Sequence, residues 1–235
     1  MVQSEHSSKQ YDIDLEALRS RVLEMGGVVE AQILAAINGL MDGDLQLLDN
    51  VIVNDHRVNA LEVSIDTDCS HLIARRQPAA GDLRMVLAVI KIVTDLERIG
   101  DEAAKIARMG KQGLGRARLP VTPLAAVRHV GDIAIRMLRK ALDALARLDP
   151  VAAAAIVRED VAIDEEFRAI VRQLITFMME DPRTISQAIE IVWIAKAIER
   201  IGDHAKNMAE QVIYIVKGTD VRHTSVEDLE REALG

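Results

Sequence analysis

Aromatic residues are scarce in this chain of 235 residues. There are one Trp, two Tyr and two Phe, or 2% of the total, whereas hydrophobic residues as a whole make up 49%. Sheets favour aromatic and β-branched side chains, whereas helices favour Ala, Leu, Glu, Arg and Met. The composition therefore predicts a globular, helical protein and not a disordered chain.

Cysteine and excess positive charge are also lacking. The single cysteine, Cys69, excludes an internal disulfide, and its helical register with Ile65 and Leu72 predicts a buried position. Asp and Glu outnumber Lys and Arg by 37 to 29, for a formal net charge of −8. Nucleic-acid binding usually depends on a basic face, so we expect none here.

Long uncharged apolar runs are absent as well. No stretch reaches the ~18 residues that a membrane-spanning helix needs, because Lys91 interrupts one candidate and Glu190 and Lys196 interrupt the other. The first residues show no charged-then-apolar signal pattern. We therefore expect a cytoplasmic protein that partners could hold at the inner face of a membrane.

Apolar residues recur every three or four positions along the first half, which predicts amphipathic helices. Three stripes cover about residues 15–40, 51–72 and 79–109. The first is interrupted at Asp42-Gly43-Asp44, and the third stops at Gly110.

Three further helices are predicted by a capping side chain followed by Pro at the first helical position. These pairs are Thr122-Pro123, Asp149-Pro150 and Asp181-Pro182, and the helices they open cover about residues 123–148, 150–180 and 182–217. Since short turns make antiparallel neighbours, we expect an all-α protein of two tandem, pseudo-symmetric three-helix bundles. The expected divisions are a first repeat at 12–110, a linker at 111–121, a second repeat at 122–217 and a loosely held acidic tail at 218–235 that has room for one short helix.

A duplicated heptamer supports this division. Glu97-Arg98-Ile99-Gly100-Asp101-Glu102-Ala103 returns as Glu199-Arg200-Ile201-Gly202-Asp203-His204-Ala205, with six of seven positions identical. Glu and Asp four residues apart share one face of a helix. The preceding helices carry Asp160 and Asp164 in the second half, and Asp55 and Asn59 in the first, with Glu62 a further turn along.

These oxygen-bearing residues predict a metal site in each half, beside the apolar core and not within it. Neighbouring carboxylates repel one another unless a cation lies between them, and oxygen ligands suit hard cations such as Mg, Mn, Ca or iron. The predicted ligands are Asp55, Asn59, Glu97 and Asp101 in the first half, and Asp160, Asp164, Glu199 and Asp203 in the second. The second site, with four carboxylates, is expected to be the stronger. Gly100 and Gly202, each costing about 1 kcal/mol within a helix, suggest close approach of a backbone or a bound species.

Two other interpretations fit part of the pattern. In a metal-free helical scaffold the acids would be solvated or paired with Arg98 and Arg200. In a di-iron carboxylate enzyme they would point into the core with Glu-x-x-His pairs, but no His has Glu three residues before it. Neither a nucleophilic triad nor a phosphate loop is present, so we expect a protein that is not an enzyme.

The repeated Glu-Arg-Ile-Gly-Asp-x-Ala resembles the PhoU family of phosphate-regulon regulators, and so does the segment Arg76–Arg84, RQPAAGDLR. The resemblance covers about residues 12–223. It implies two tandem bundles that bind metal, often iron in multinuclear surface clusters, with Fe, Mn or Mg as the expected cation. By position, the motif residues are Glu97, Asp101, Glu199 and Asp203, and the matching acids on the second helices are Asp55, Asp160 and Asp164. Asn59 departs from the acidic pattern.

The resemblance also implies a role. Members of the family are negative regulators of phosphate signalling that act between a phosphate ABC transporter, through its ATPase subunit, and a membrane sensor histidine kinase. We expect the same partners here.

We predict that the protein self-associates, most simply as a homodimer. The sixth predicted helix is apolar over a broad arc around Ile189–Ile198, more than one three-helix core needs. Sedimentation at micromolar concentration should therefore give twice the chain mass, and a clean species of 25.9 kDa would contradict the prediction.

Overall fold

The fold is all-α, as predicted. The computed structural model describes residues 2–76, 78, 80–113 and 121–234, and none of these lies in a strand. The helices are α1 (Val2–Asp42), α2 (Leu45–Arg76), α3 (Ala80–Gly113), α4 (Val121–Arg147), α5 (Pro150–Glu180), α6 (Ile185–Lys217) and α7 (Val226–Leu234). No helix in these ranges is both long and apolar enough to span a bilayer.

Two three-helix bundles follow one another along the chain, which confirms the predicted architecture. Helices α1, α2 and α3 pack on one another, and α4, α5 and α6 do the same. Gly100 of α3 lies against Val58 of α2, and Gly202 of α6 lies against Ile163 of α5 in the corresponding place. The bundles join where α3 packs on α6 and α1 packs on α4, so equivalent helices meet across an approximate twofold.

Two of the three predicted capping pairs, both Asp-Pro, open helices as predicted, whereas α4 begins at Val121, so Thr122 lies within it and does not cap it. A side-chain oxygen of Asp149 accepts hydrogen bonds from the backbone N–H groups of Val151 and Ala152, each at 3.0 Å. Asp181 accepts from the N–H of Arg183 at 3.0 Å in the same way. The first turn after Asp181, Pro182–Thr184, is a 3-10 helix, and α6 continues from it.

The predicted boundaries around the linker and at the N-terminus need correction. Helix α3 continues past Gly110 to Gly113, and residues 114–120 of the expected linker lie outside the described part. A Cβ at Gly110 would stand 3.0 Å from Leu40 and 3.3 Å from Leu48. This glycine therefore lets α1 and α2 pack closely against α3, and it does not end α3. Helix α1 begins at Val2, ten residues before the expected start.

The C-terminal tail is held more firmly than expected. Val221, Leu229 and Ala233 are buried, and α7 packs on α5. A guanidinium nitrogen of Arg158 on α5 lies 2.6 Å from a carboxylate oxygen of Glu230 on α7. Alternating acids therefore did not signal a loose segment, because the apolar residues between them form one buried face.

Packing between the two bundles accounts for much of the apolar arc on α6. Ile191, Ile194 and Ile198 are buried, whereas Ile189 and Trp193 stay 44% and 50% exposed. Helix α6 contacts α3, α4 and α5, so it needs a wider apolar surface than a helix in an isolated bundle. The arc is thus mostly used within one chain, and self-association stays a prediction.

Two glycines permit the crossing of α1 and α4. A Cβ at Gly26 would clash with Leu142, and a Cβ at Gly131 would clash with Ile37. Gly26 and Gly131 occupy corresponding positions of the two bundles, as do Ile37 and Leu142. Each glycine therefore receives a branched side chain from the other bundle.

Substitution of Gly26 by Ala should destabilise the protein relative to substitution of its neighbour, Gly27. Ala is favoured over Gly in a helix by about 1 kcal/mol, and a Cβ at Gly27 would meet nothing within 4 Å. At Gly26 overpacking against Leu142 should cost roughly 1–3 kcal/mol. Urea unfolding should thus show G27A to be more stable than the parent and G26A to lack that gain. Equal stabilisation by both changes would contradict a tight crossing.

Candidate functional site

The first-half cluster consists of four carboxylates in the groove between α2 and α3: Asp55, Glu62, Glu97 and Asp101. Burial, and then the negative charges of Asp101, Glu62 and Asp55, raise the pKa of Glu97, while Arg98 opposes the shift. The Arg98 guanidinium lies 3.5 Å from Glu97 and 3.7 Å from Asp101. One guanidinium group, that of Arg98, thus faces four carboxylates.

A buried amide adjoins this cluster. Gln32 of α1 is only 6% exposed, and its side-chain N–H₂ donates a hydrogen bond of 3.0 Å to Oδ1 of Asp55. Its Oε1 is buried without a hydrogen-bond partner. Gln32 Oε1 and Asp55 Oδ1 lie 3.4 and 3.6 Å from where a Cβ at Gly100 would stand. Gly100 therefore makes room for two oxygens and for Val58, and not for another backbone.

The second-half cluster consists of three carboxylates in the groove between α5 and α6: Asp160, Glu199 and Asp203. Lys206 Nζ lies 2.8 Å from Oδ2 of Asp160, and Lys196 Nζ lies 2.5 Å from Oε1 of Glu199. Burial, followed by the charges of Glu199 and Asp160, raises the pKa of Asp203, and the two lysines oppose the shift. Three carboxylates thus face two ammonium groups, those of Lys196 and Lys206.

The second cluster is also more buried than predicted. Asp160 and Glu199 are each 7% exposed, so the expectation that the acids merely flank the core is wrong for these two. Their ammonium partners make this burial possible, because an unpaired charge would be expelled to solvent. At Gly202 a Cβ would meet Ile163 Cδ1 at 2.6 Å, and its three nearest atoms all belong to Ile163, whereas those at Gly100 are one carbon of Val58 and two oxygens.

Not every predicted ligand joins its cluster. Asp164 is half-buried and pairs with Arg168 at 3.8 Å within α5, and Asn59 is exposed. Glu62 takes part in the first cluster instead. Across the described part of the chain, no three side chains of His, Cys, Asp or Glu are arranged so as to hold a metal ion. The metal site therefore stays a prediction.

Three participating residues were missed by the sequence reasoning: Gln32, Lys196 and Lys206. Gln32 was detectable as a polar residue within the apolar stripe of α1. Lys196 precedes Glu199 by three residues, a spacing at which helical side chains meet. Lys206 follows Asp203 by three residues, but its bond to Asp160 on another helix could not be read from spacing.

Polar pairs also join the two bundles where α3 meets α6. Nδ1 of His204 lies 2.8 Å from Oδ1 of Asp95, and the amide of Asn207 donates to the same oxygen at 3.2 Å. Arg200 lies 2.6 Å from Glu102. The one heptamer position that differs between the copies, Glu102 in one and His204 in the other, thus contacts the opposite bundle.

The PhoU domain family matches residues 22–109 and 127–212, one match for each bundle. The chain belongs to the PhoU family. A Burkholderia protein named phosphate-specific transport system accessory protein PhoU homolog is 50% identical over 233 residues, covering 97% of this chain and 98% of that protein. The Escherichia coli K12 protein named phosphate-specific transport system accessory protein PhoU is 42% identical over 232 residues, covering 99% of this chain and 95% of its own.

Solved structures of the family agree with the fold. The crystal structure of PhoU from Pseudomonas aeruginosa superposes with a TM-score of 0.85 at 45% identity, over 89% of this chain and 100% of the other. That of the phosphate transport system regulatory protein PhoU from Streptococcus pneumoniae gives a TM-score of 0.84 at 27% identity, over 90% of this chain and 99% of the other.

A buried acid lies one turn beyond Lys206 on α6. Glu210 is 6% exposed. Its burial raises the pKa to about 7, and Lys206 and Arg222 counteract this shift only in part, while Asp220 and Asp95 add to it. Because the pKa in the folded state exceeds that of an exposed Glu, the protonated form favours folding, and this contribution is lost as the pH rises from about 4.5 to about 7.

Glu210→Gln should therefore stabilise the protein at alkaline pH. At pH 5 parent and variant should have similar free energies of unfolding. At pH 8 the variant should be more stable by at most about 3 kcal/mol, from about 1.4 kcal/mol per pKa unit. Denaturant unfolding at both pH values measures the difference, with the exposed Glu227→Gln as control. A Glu210→Gln effect that does not change with pH would contradict the argument.

Proposed function

We propose that this protein is a regulatory accessory component of phosphate transport that restrains phosphate uptake and phosphate-regulon signalling. Its partners would be the ATPase subunit of a phosphate ABC transporter and a membrane sensor histidine kinase. The observation that supports this most strongly is the agreement of the whole chain, both bundles included, with relatives that are named for a phosphate transport system.

The proposed role includes binding of a divalent or iron cation, Fe, Mn or Mg, in the grooves where α2, α3, α5 and α6 carry the acidic clusters. No three of these side chains surround a common point in the described part of the chain, but the chemistry of the first-half cluster suits such a cation, since its four carboxylates face one guanidinium and Gln32 Oε1 lacks a hydrogen-bond partner. Hard cations prefer such oxygens. Asp55, Glu97, Asp101 and the added Glu62 would hold it, and the bound charge would relieve their mutual repulsion.

The second-half cluster fits less well. Lys196 and Lys206 already neutralise Glu199 and Asp160, which favours the metal-free scaffold as an alternative for this half. A di-iron enzyme is disfavoured, because such sites need Glu-x-x-His pairs and the chain has none. The polar pairs between α3 and α6 are also consistent with an adaptor, since they fix the two grooves relative to each other.

The regulatory role can be tested by complementation. In an Escherichia coli strain that lacks its own PhoU, a phosphate-starvation promoter should be active even in high phosphate. Expression of this chain should restore repression, because the relative is 42% identical over nearly its whole length. The readout is reporter activity at high and low phosphate, with the E. coli protein and empty vector as references. An unrepressed reporter at equal protein abundance would contradict the proposal.

A further inference from the structure

We propose that the two acidic clusters have diverged: the first-half cluster takes the cation with Gln32 as an additional oxygen ligand, whereas Lys196 and Lys206 replace the cation in the second half. This inference rests on the cation binding included in the proposed function. It reverses the expectation that the second half holds the stronger site.

Charge separates the two clusters. In the first half, Glu97, the three carboxylates that raise its pKa and the Arg98 guanidinium carry a formal charge of −3 together. In the second half, Asp203, the two carboxylates that raise its pKa and the two ammonium groups carry −1 together. Because Coulomb attraction is proportional to the charge of the site, a multivalent cation is drawn more strongly to the first half. Arg200, the counterpart of Arg98, pairs with Glu102 and not with its own cluster.

The lysines occupy lone pairs that a metal would need. Each ammonium donates to a carboxylate that is itself only 7% exposed. A cation would have to displace Lys206 from Asp160 and Lys196 from Glu199, and would leave two ammonium groups without their partners. In the first half the corresponding positions are Ala104 and Thr94, and neither supplies a positive charge.

The residues that line the two grooves also favour a cation in the first half over the second. Gln32 of the first half corresponds to Met137 of the second, and Met137 is fully buried in the apolar core. Glu62 corresponds to Phe167, and the Lys196 ammonium lies 5.5 Å from the centre of that ring. The first groove thus has an amide oxygen and a carboxylate where the second has a thioether and an aromatic ring.

One buried oxygen of the second half would also favour a cation. Glu199 Oε2 is buried without a hydrogen-bond partner, as is Gln32 Oε1. Asp160 and Asp164 already pair with Lys206 and Arg168. Glu199 Oε2 and the half-buried Asp203 supply fewer oxygens than the six or more that a hard cation takes.

Calorimetric titration of the full chain with Mn(II), and separately with Fe(II) under anaerobic conditions, tests the inference. The matched pair is Glu97→Gln and Glu199→Gln, which are corresponding positions. Glu97→Gln should weaken binding at least roughly tenfold and Gln32→Met by a similar factor, whereas Glu199→Gln should change it by less than about twofold. Melting temperature without metal shows whether each variant is folded.

A second variant keeps the test decisive if Glu199→Gln does not fold. Thr94→Lys copies Lys196 into the first half at an exposed position three residues before Glu97, and the added ammonium should weaken Mn(II) binding about tenfold. Metal should then raise its melting temperature less than that of the parent. Equal losses in Glu97→Gln and Glu199→Gln, or unchanged Mn(II) binding in Thr94→Lys, would overturn the divergence alone. A parent that binds neither metal would overturn it together with the proposed cation binding, while repression in the complementation assay would stand independently.

Discussion

The contact between α3 and α6 is the constraint on which the rest of the molecule depends. These helices run antiparallel, so Asp95 meets His204 and the later Glu102 meets the earlier Arg200. Each also forms one wall of its own acidic groove. Because the two walls are packed together, any force that moves α3 in its groove acts on α6. A cation bound in one half would therefore contact a helix that also joins the two halves.

The duplicated heptamer owes much of its sequence to this packing. Ile99, Ile201, Ala103 and Ala205 are all fully buried, and Gly100 and Gly202 admit side chains from α2 and α5. Packing alone thus explains the Ile, the Gly and the Ala of each copy. The glycine signal that sequence reasoning attributed to a backbone or a ligand comes from helix packing, although at Gly100 the neighbours include two oxygens.

Local signals in the sequence predicted helices well and side-chain partners poorly. Asp149-Pro150 fixes the start of α5, because a cap and a preset φ act on adjacent residues. Gly110 misled the prediction of a helix end, because its role is set by Leu40 and Leu48, which are distant in sequence. The clustering of Asp55, Glu97 and Asp101 followed from two amphipathic helices being neighbours. The lysine partners did not follow, since the same residue on a helix flank can equally face solvent.

A near-identical repeat in one wall of a groove does not guarantee the same chemistry in both grooves. The heptamer supplies only the α3 or α6 wall, while α1 and α2, or α4 and α5, supply the rest. Those walls differ in polarity at the positions of Gln32 and Glu62, where the second half has Met137 and Phe167. Once hydrocarbon fills a groove, its carboxylates lose solvent and need fixed counter-ions, and Lys196 and Lys206 meet that need.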